Sequence, residues 1–194
     1  MRIDYYVSKN RGVTMIELLM VIAIVAILAS VSASSFLNNI ADYRLNAAAR
    51  DLVSNMQWTK INAIKENKEW NIVFDVLNAN YYIHTDDDKN KDWGQIDKKN
   101  KKKKINLIEY GSNVSFGHGD AVKPKGSLFD DNVTFCSNSE SNVAVFNQKG
   151  GINTPSGYIY IENNEGSTYA IGGLSATGII SVYKYNRKNK KWIE

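Results

Sequence analysis

Residues 18–37, LLMVIAIVAILASVSASSFL, contain no charged side chain. As a helix these 20 residues would rise about 30 Å, the depth of one hydrocarbon layer. Such a run can span a membrane. Arg2, Lys9 and Arg11 lie ahead of it and predict a cytoplasmic N-terminus, which puts the rest of the chain outside an inner (cytoplasmic) membrane as a single-pass protein. One acid, Glu17, sits immediately before the run. A charge placed centrally in a membrane helix costs about 2.5–3.5 kcal/mol on insertion scales, and less near an end. Glu17 therefore either snorkels to the interface or has a cationic partner. A cut between Gly12 and Val13 would create one, because the new α-amino group of Val13 would lie one helical turn from Glu17 and within reach of Glu17 on a packed neighbour. A secretory signal is the alternative. Its apolar region is typically about 7–15 residues and ends at a small-residue cleavage site. Here the run is longer and the conspicuous Gly12 precedes it, although ASVSASS at residues 29–35 also offers small residues.

Length allows this segment plus one modest domain. The net charge of +4 is unevenly placed: the leader carries +2, residues 86–104 carry +3 and residues 184–194 carry +4, which leaves −5 for the remainder. The body is mildly acidic with basic patches, which argues against a uniformly nucleic-acid-coating protein. The single Cys136 closes no internal disulfide and makes no multi-thiolate zinc site, and its setting in NVTFC reads as a buried structural thiol.

The segment RGVTMIELLMVIAIVAIL closely resembles the prepilin motif of type IV pilins and type II secretion pseudopilins. By that resemblance residues 1–12 are a leader, Gly12 is its last residue, Val13 is the first mature residue and is N-methylated, and Glu17 neutralises a neighbour's N-terminus during assembly. A prepilin peptidase of the inner membrane would perform both modifications. Family members more often begin the mature chain with Phe, and many major pilins carry helix-loosening Gly and Pro where this chain has Ala26 and Ser34. The first departure bears on how efficiently the leader is removed, and the second favours a low-abundance subunit over a bulk one. The stretch NVAVFNQKGGINTPSGYIYIENNEGSTYAIGGLSATGIISVYKY is similar to the end of the GspH/FimT group of minor pilins and pseudopilins, with its glycine turn and its Thr177-Gly178 turn before the last strand. The resemblance implies a structural subunit that helps start or cap a type II secretion pseudopilus or a type IV pilus and so supports protein secretion. Its partners would be other pilins or pseudopilins and the inner-membrane assembly platform.

After Asn39 the run turns amphipathic. Leu45, Ala49, Leu52, Met56 and Ala63 recur at three- and four-residue spacing among Arg44, Arg50, Asp51, Lys60 and Lys65, and no proline interrupts residues 13–69. One helix is expected, with a transmembrane half at 13–37 and an amphipathic half at 38–69. WNIVFDV, NYYIHT, NVSFG, NVTFC, NVAVFN, GYIYIEN, STYAIGGL and TGIISVYKY then read as strands separated by turns. The expected architecture is α+β, a long helix packed on one or two antiparallel sheets, with residues 70–194 as the β-rich globular part.

Residues 86–104 read as a charged loop. Asp88, Asn90 and Asp92 alternate as calcium ligands can, but Trp93 and Lys99 occupy the places where an EF-hand needs Gly and Glu. His84 and His118 fall in no zincin spacing, and neither a GxSxG elbow nor a P-loop occurs, so no catalysis, metal or cofactor is expected. GHGD at residues 117–120 reads as a turn. The tail is basic and interleaved with aromatics. Lys184, Arg187, Lys188, Lys190 and Lys191 are candidates for nucleic-acid or anionic-surface contact, against the simpler reading of a frayed, solvated end. The resemblance extends to DNA-binding FimT-type pilins, but the arginines those carry beside the Thr-Gly turn are replaced here by Ile179, Ile180 and Ser181.

Overall fold

The computed structural model describes residues 12–85, 101–111, 113–122, 132–137, 140–173 and 176–194, with the backbone alone for 31–38, 101–102, 136–137 and 140–141. The chain divides into two compact units, Met1–Asn39 and Ile40–Glu194. Helix α1, Met15–Glu66, is 52 residues long and runs through the boundary between them. Glu17 in its first turn and Lys65 in its last both complement the helix dipole. It stops three residues short of the expected Glu69, because Asn67 adopts a left-handed conformation with φ of 50°. The Lys68 N–H then bonds back to Ala63 O at 3.2 Å, closing the helix in the manner of a Schellman turn.

The strands that follow are β1 (Trp70–Asp75), β2 (Asn80–Thr85), β3 (Lys101–Asn106), β4 (Val114–Phe116), β5 (Cys136–Ser137), β6 (Glu140–Ser141), β7 (Val143–Phe146), β8 (Gly157–Asn163), β9 (Thr168–Gly173), β10 (Ile180–Asn186) and β11 (Lys191–Ile193). They form a four-stranded sheet in the order β3-β2-β1-β7, a five-stranded sheet in the order β11-β10-β9-β8-β4, and the ribbon β5-β6. Every pairing is antiparallel. The architecture is α+β, as the hydrophobic pattern indicates.

Within the second unit the expected stripe is buried: Leu45, Leu52, Met56 and Ala63 have no exposed surface, and Ala49 has almost none. The same core cluster contains Ile72, Phe74 and Tyr81 of the first sheet and Ile159, Ile161 and Ile171 of the second, so one helix face closes both. Burying each such large side chain contributes about 1.5–3 kcal/mol. Polar ties fix the helix in rotation. Asn55 donates to the Tyr81 hydroxyl at 2.7 Å, and its carbonyl oxygen accepts from Lys103 at 2.9 Å. Asp42 accepts from Asn163 at 3.0 Å and from Ser167 at 2.6 Å. A second cluster of Val73, Val143 and Val145 occupies the opposite face of the four-stranded sheet.

Three expectations change. Residues 101–104, read as the end of a charged loop, belong to edge strand β3; residues 86–100 of that loop lie outside the described residues, as do Asp88, Asn90, Asp92 and the leader residues 1–11. Burial of Ile105 and Leu107 anchors β3, while Lys103 reaches Asn55 and the Lys104 ammonium lies 5.7 Å from the centre of the Tyr82 ring. Lysines suit an outermost strand, since their charge opposes further edge-to-edge pairing. NVTFC is not one strand: Val133 makes a single bridge to Ile159, and the Thr134 hydroxyl takes the Tyr158 N–H at 2.7 Å where a backbone carbonyl would otherwise serve. Cys136 falls in β5, and its side chain is outside those described. The tail is not frayed. β11 folds back on β10, and the Trp192 ring packs 5.2 Å from Tyr185 with its Nε1–H donating to Val122 O at 2.6 Å.

Candidate functional site

The start of α1 is built from local backbone and side-chain contacts. Gly12, Val13 and Thr14 precede the helix in non-helical backbone, and Leu18 N–H makes an i→i−4 bond to Thr14 O at 3.1 Å. The Thr14 hydroxyl accepts the Glu17 N–H at 3.3 Å, and the Glu17 carboxylate accepts the Thr14 N–H at 3.5 Å. This reciprocal arrangement is a capping box, with Thr14 at the N-cap and Glu17 three residues on. The TMIE sequence signals it, yet a reading focused on the charge of Glu17 passes over Thr14.

Along residues 13–30 every side chain is exposed, with Met15 at 84% and Val21, among the least exposed of the large apolar residues, still at 53%. Apolar groups all round a helix favour a non-aqueous or protein-lined setting. Among the described residues no helix is long and apolar enough to cross a membrane. The uncharged run continues through residues 31–37, whose side chains lie outside those described.

The five tail cations do not form one cluster of free charges. Lys184 lies 5.6 Å from the centre of the Tyr169 ring, and Arg187 pairs with Asp120 at 2.9 Å while donating to Glu165 O at 2.8 Å. Lys188, Lys190 and Lys191 are exposed on the β10-β11 hairpin. Beside them runs a groove of about 780 Å³, lined by Asp42, Tyr169, Val182, Lys184, Arg187 and Ile193 among others. It is more apolar than a phosphate track requires. Among the described residues no group of three or more His, Cys, Asp or Glu side chains is placed to hold a metal ion.

The GHGD turn lies directly on Glu162: a Cβ at Gly117 would fall 1.9 Å from Glu162 Oε1. Burial raises the Glu162 carboxyl above its usual range, while His118 and a backbone hydrogen bond from Gly119 pull it down and Asp120 pushes it up. A raised native value means that the native state binds the proton more tightly than the unfolded chain does. The penalty is then absent below the unfolded value, grows as pH rises toward the native value, and persists above it. Glu162→Gln is accordingly expected to leave stability unchanged or to raise it by less than about 1 kcal/mol at pH 7, after allowance for solvent screening, with no gain at pH 4. Thermal melts at the two pH values check this. A variant less stable at pH 7 than at pH 4, relative to the parent, would reverse the sign.

The structure also joins residues that the sequence leaves unrelated. Lys60 Nζ donates to Thr177 O at 3.3 Å and to Gly178 O at 3.0 Å, so the Thr-Gly turn is held against α1 by a cation on the helix.

No curated protein and no solved structure matches the chain. A family model described as the prokaryotic N-terminal methylation motif matches residues 7–33. That motif points to assembly with other pilins and to processing by a prepilin peptidase, and to a structural protein more than to a catalyst. The matched residues take in the capping box and most of the apolar run, ahead of a helix-on-antiparallel-sheet body, and so the chain carries the hallmark of type IV pilin-like proteins.

Proposed function

We propose that this protein is a minor pilin or pseudopilin of the GspH/FimT kind, a structural subunit that helps initiate or cap a type II secretion pseudopilus or a type IV pilus. The observation that carries the reading is the helix start: a single acid in the first turn of an apolar helix whose side chains are exposed all round, with Gly12–Val13 just ahead of it. In this reading residues 1–12 are removed by prepilin peptidase and the Val13 nitrogen is methylated. The subunit waits in the inner membrane as a single-pass protein with its globular part outside. Assembly draws the apolar helices of several subunits together, where close packing replaces lipid contacts. The Glu17 carboxylate of one subunit then meets the cationic terminus of its neighbour, which sets the stagger between them. The long helix, the two sheets and the turn at Thr177-Gly178 agree with the GspH/FimT similarity. Mass spectrometry of the membrane-extracted protein is expected to find an N-methylated Val13 terminus. An intact Met1, or a terminus near Ala33, would instead fit a retained anchor or a secretory signal.

A further inference from the structure

We propose that the outer edge of β10 at residues 180–183 is a docking site for an extended peptide segment of another protein, one that pairs with the strand through its backbone and presents an aliphatic side chain and a carboxylate to the α1 side of the sheet. The inference goes beyond the filament reading. Every residue it uses lies in the Ile40–Glu194 unit, and it stands whether or not the leader is removed.

β10 pairs with β9 from Ile180 to Lys184, but on its other side β11 covers only Lys184, Tyr185 and Asn186. Among the described residues nothing pairs with the backbone of residues 180–183 on that side. Alternate residues of an antiparallel strand turn their N–H and C=O to the same side, so this stretch offers donors and acceptors in line with β11. An extended peptide laid there continues the sheet. The chain guards its edges unequally. Edge strand β3 of the four-stranded sheet carries Lys101, Lys102, Lys103 and Lys104, which oppose such an addition, whereas Ile180, Ser181, Val182 and Tyr183 bring neither charge nor proline.

The surroundings of the edge decide what the added strand must carry. Val182 faces α1, and with Asn46, Ala49, Arg50, Val53 and Tyr169 it lines a cavity of about 300 Å³. Val53 and Val182 pack against the core yet stay only partly buried, so the inner face of the sheet is left unfinished here. A strand at the usual spacing of about 4.8 Å would hold every second side chain over this cavity, and an aliphatic one would complete the packing. Arg50 is the one charged residue in the lining and is exposed, which suits a carboxylate two residues further along the same face of the peptide. The cavity shares Tyr169 and Val182 with the larger groove, where Lys184, Arg187 and Lys188 outnumber Asp42 and Glu194, and where Asp42 already accepts from Asn163 and Ser167. On the opposite face Ser181 and Tyr183 border a slot of only about 60 Å³, so selection rests on the α1 side.

The test uses the full-length chain in detergent and a fluorescent heptapeptide of threonines with leucine at its third and glutamate at its fifth position. Binding is read by fluorescence polarisation and located by amide NMR shifts, which are expected at residues 180–183. Arg50→Glu is expected to weaken the peptide about tenfold, and a peptide with lysine in place of glutamate is expected to reverse that order. Thermal unfolding of Arg50→Glu is expected to match the parent, because the side chain is exposed. Backbone pairing is tested separately by N-methylating alternate amides of the peptide: the set that faces β10 is expected to abolish binding and the other set to preserve it. No binding at about 1 mM peptide would overturn the inference. Equal effects of the two methylated sets, or shifts confined to other residues, would do the same. Self-association of the chain that the peptide dissolves would give the edge to a second copy and overturn the choice of occupant.

Discussion

Gly178→Ala is expected to destabilise the globular part by about 3 kcal/mol or more, a large fraction of the stability of an ordinary domain. A Cβ at this position would lie 1.9 Å from Gly150 O, and the atom it meets is backbone, so no side-chain rotation relieves the contact. The residue also has φ of +59°, a conformation that disfavours any L side chain. The neighbours have little room to give. Gly150 has φ of +81° and packs beneath Lys60 and Ile64 of α1, while Lys60 ties the carbonyls of Thr177 and Gly178. Two turns distant in sequence and one helix thus meet at a point where only glycine fits. Urea unfolding of the full chain in detergent measures the effect, and a midpoint within experimental error of the parent would show that the turn can retreat. Thr177→Ala, which leaves the backbone contacts intact, serves as the mild control.

Glu17→Ala is expected to give a folded, membrane-inserted protein that is still cut after Gly12 but is absent from filaments. The loss should be near complete, because each subunit-to-subunit contact in the proposed bundle would leave a cationic terminus in apolar surroundings without its counter-charge, and the cost repeats at every step of assembly. Glu17→Gln, which keeps the side chain's size and removes its charge, is expected to show the same failure to assemble. Sheared filament fractions probed for the protein provide the measurement. Incorporation of Glu17→Ala at the parental level would remove the charge pairing from the mechanism.

The pattern of buried positions on the helix was legible from spacing alone. Leu45, Ala49, Leu52, Met56 and Ala63 lie on one face at a helical period, and a face of that width needs a sheet to cover it. The strands of GYIYIEN and STYAIGGL were legible too, for their alternating branched and aromatic residues are bounded by turn residues. Strand β3 was not. Four successive lysines read as solvated loop, and only the pairing of Ile105 with Tyr81 and the reach of Lys103 to Asn55 make them a strand. The tail misled in the same way: its charges suggested a free end, whereas Trp192 and the Asp120–Arg187 pair fasten it to the turn after β4. Left-handed backbone at Ala79 and Lys190 had no local signal, since neither residue type favours it.

What the sequence alone determined is the part whose physics is local or one-dimensional. An uncharged run measured against a hydrocarbon layer, a glycine followed five residues later by an acid, and the helical period of the core face all act within a few residues of themselves. Tertiary structure decided what depends on residues far apart in the chain: which cations remain free, since Lys184 and Arg187 are taken up by Tyr169 and Asp120; which strands stand at the sheet edges; and why Gly178 faces Gly150. Those outcomes turn on which surfaces meet once both sheets close on α1, and the chain's local preferences carry no record of that meeting.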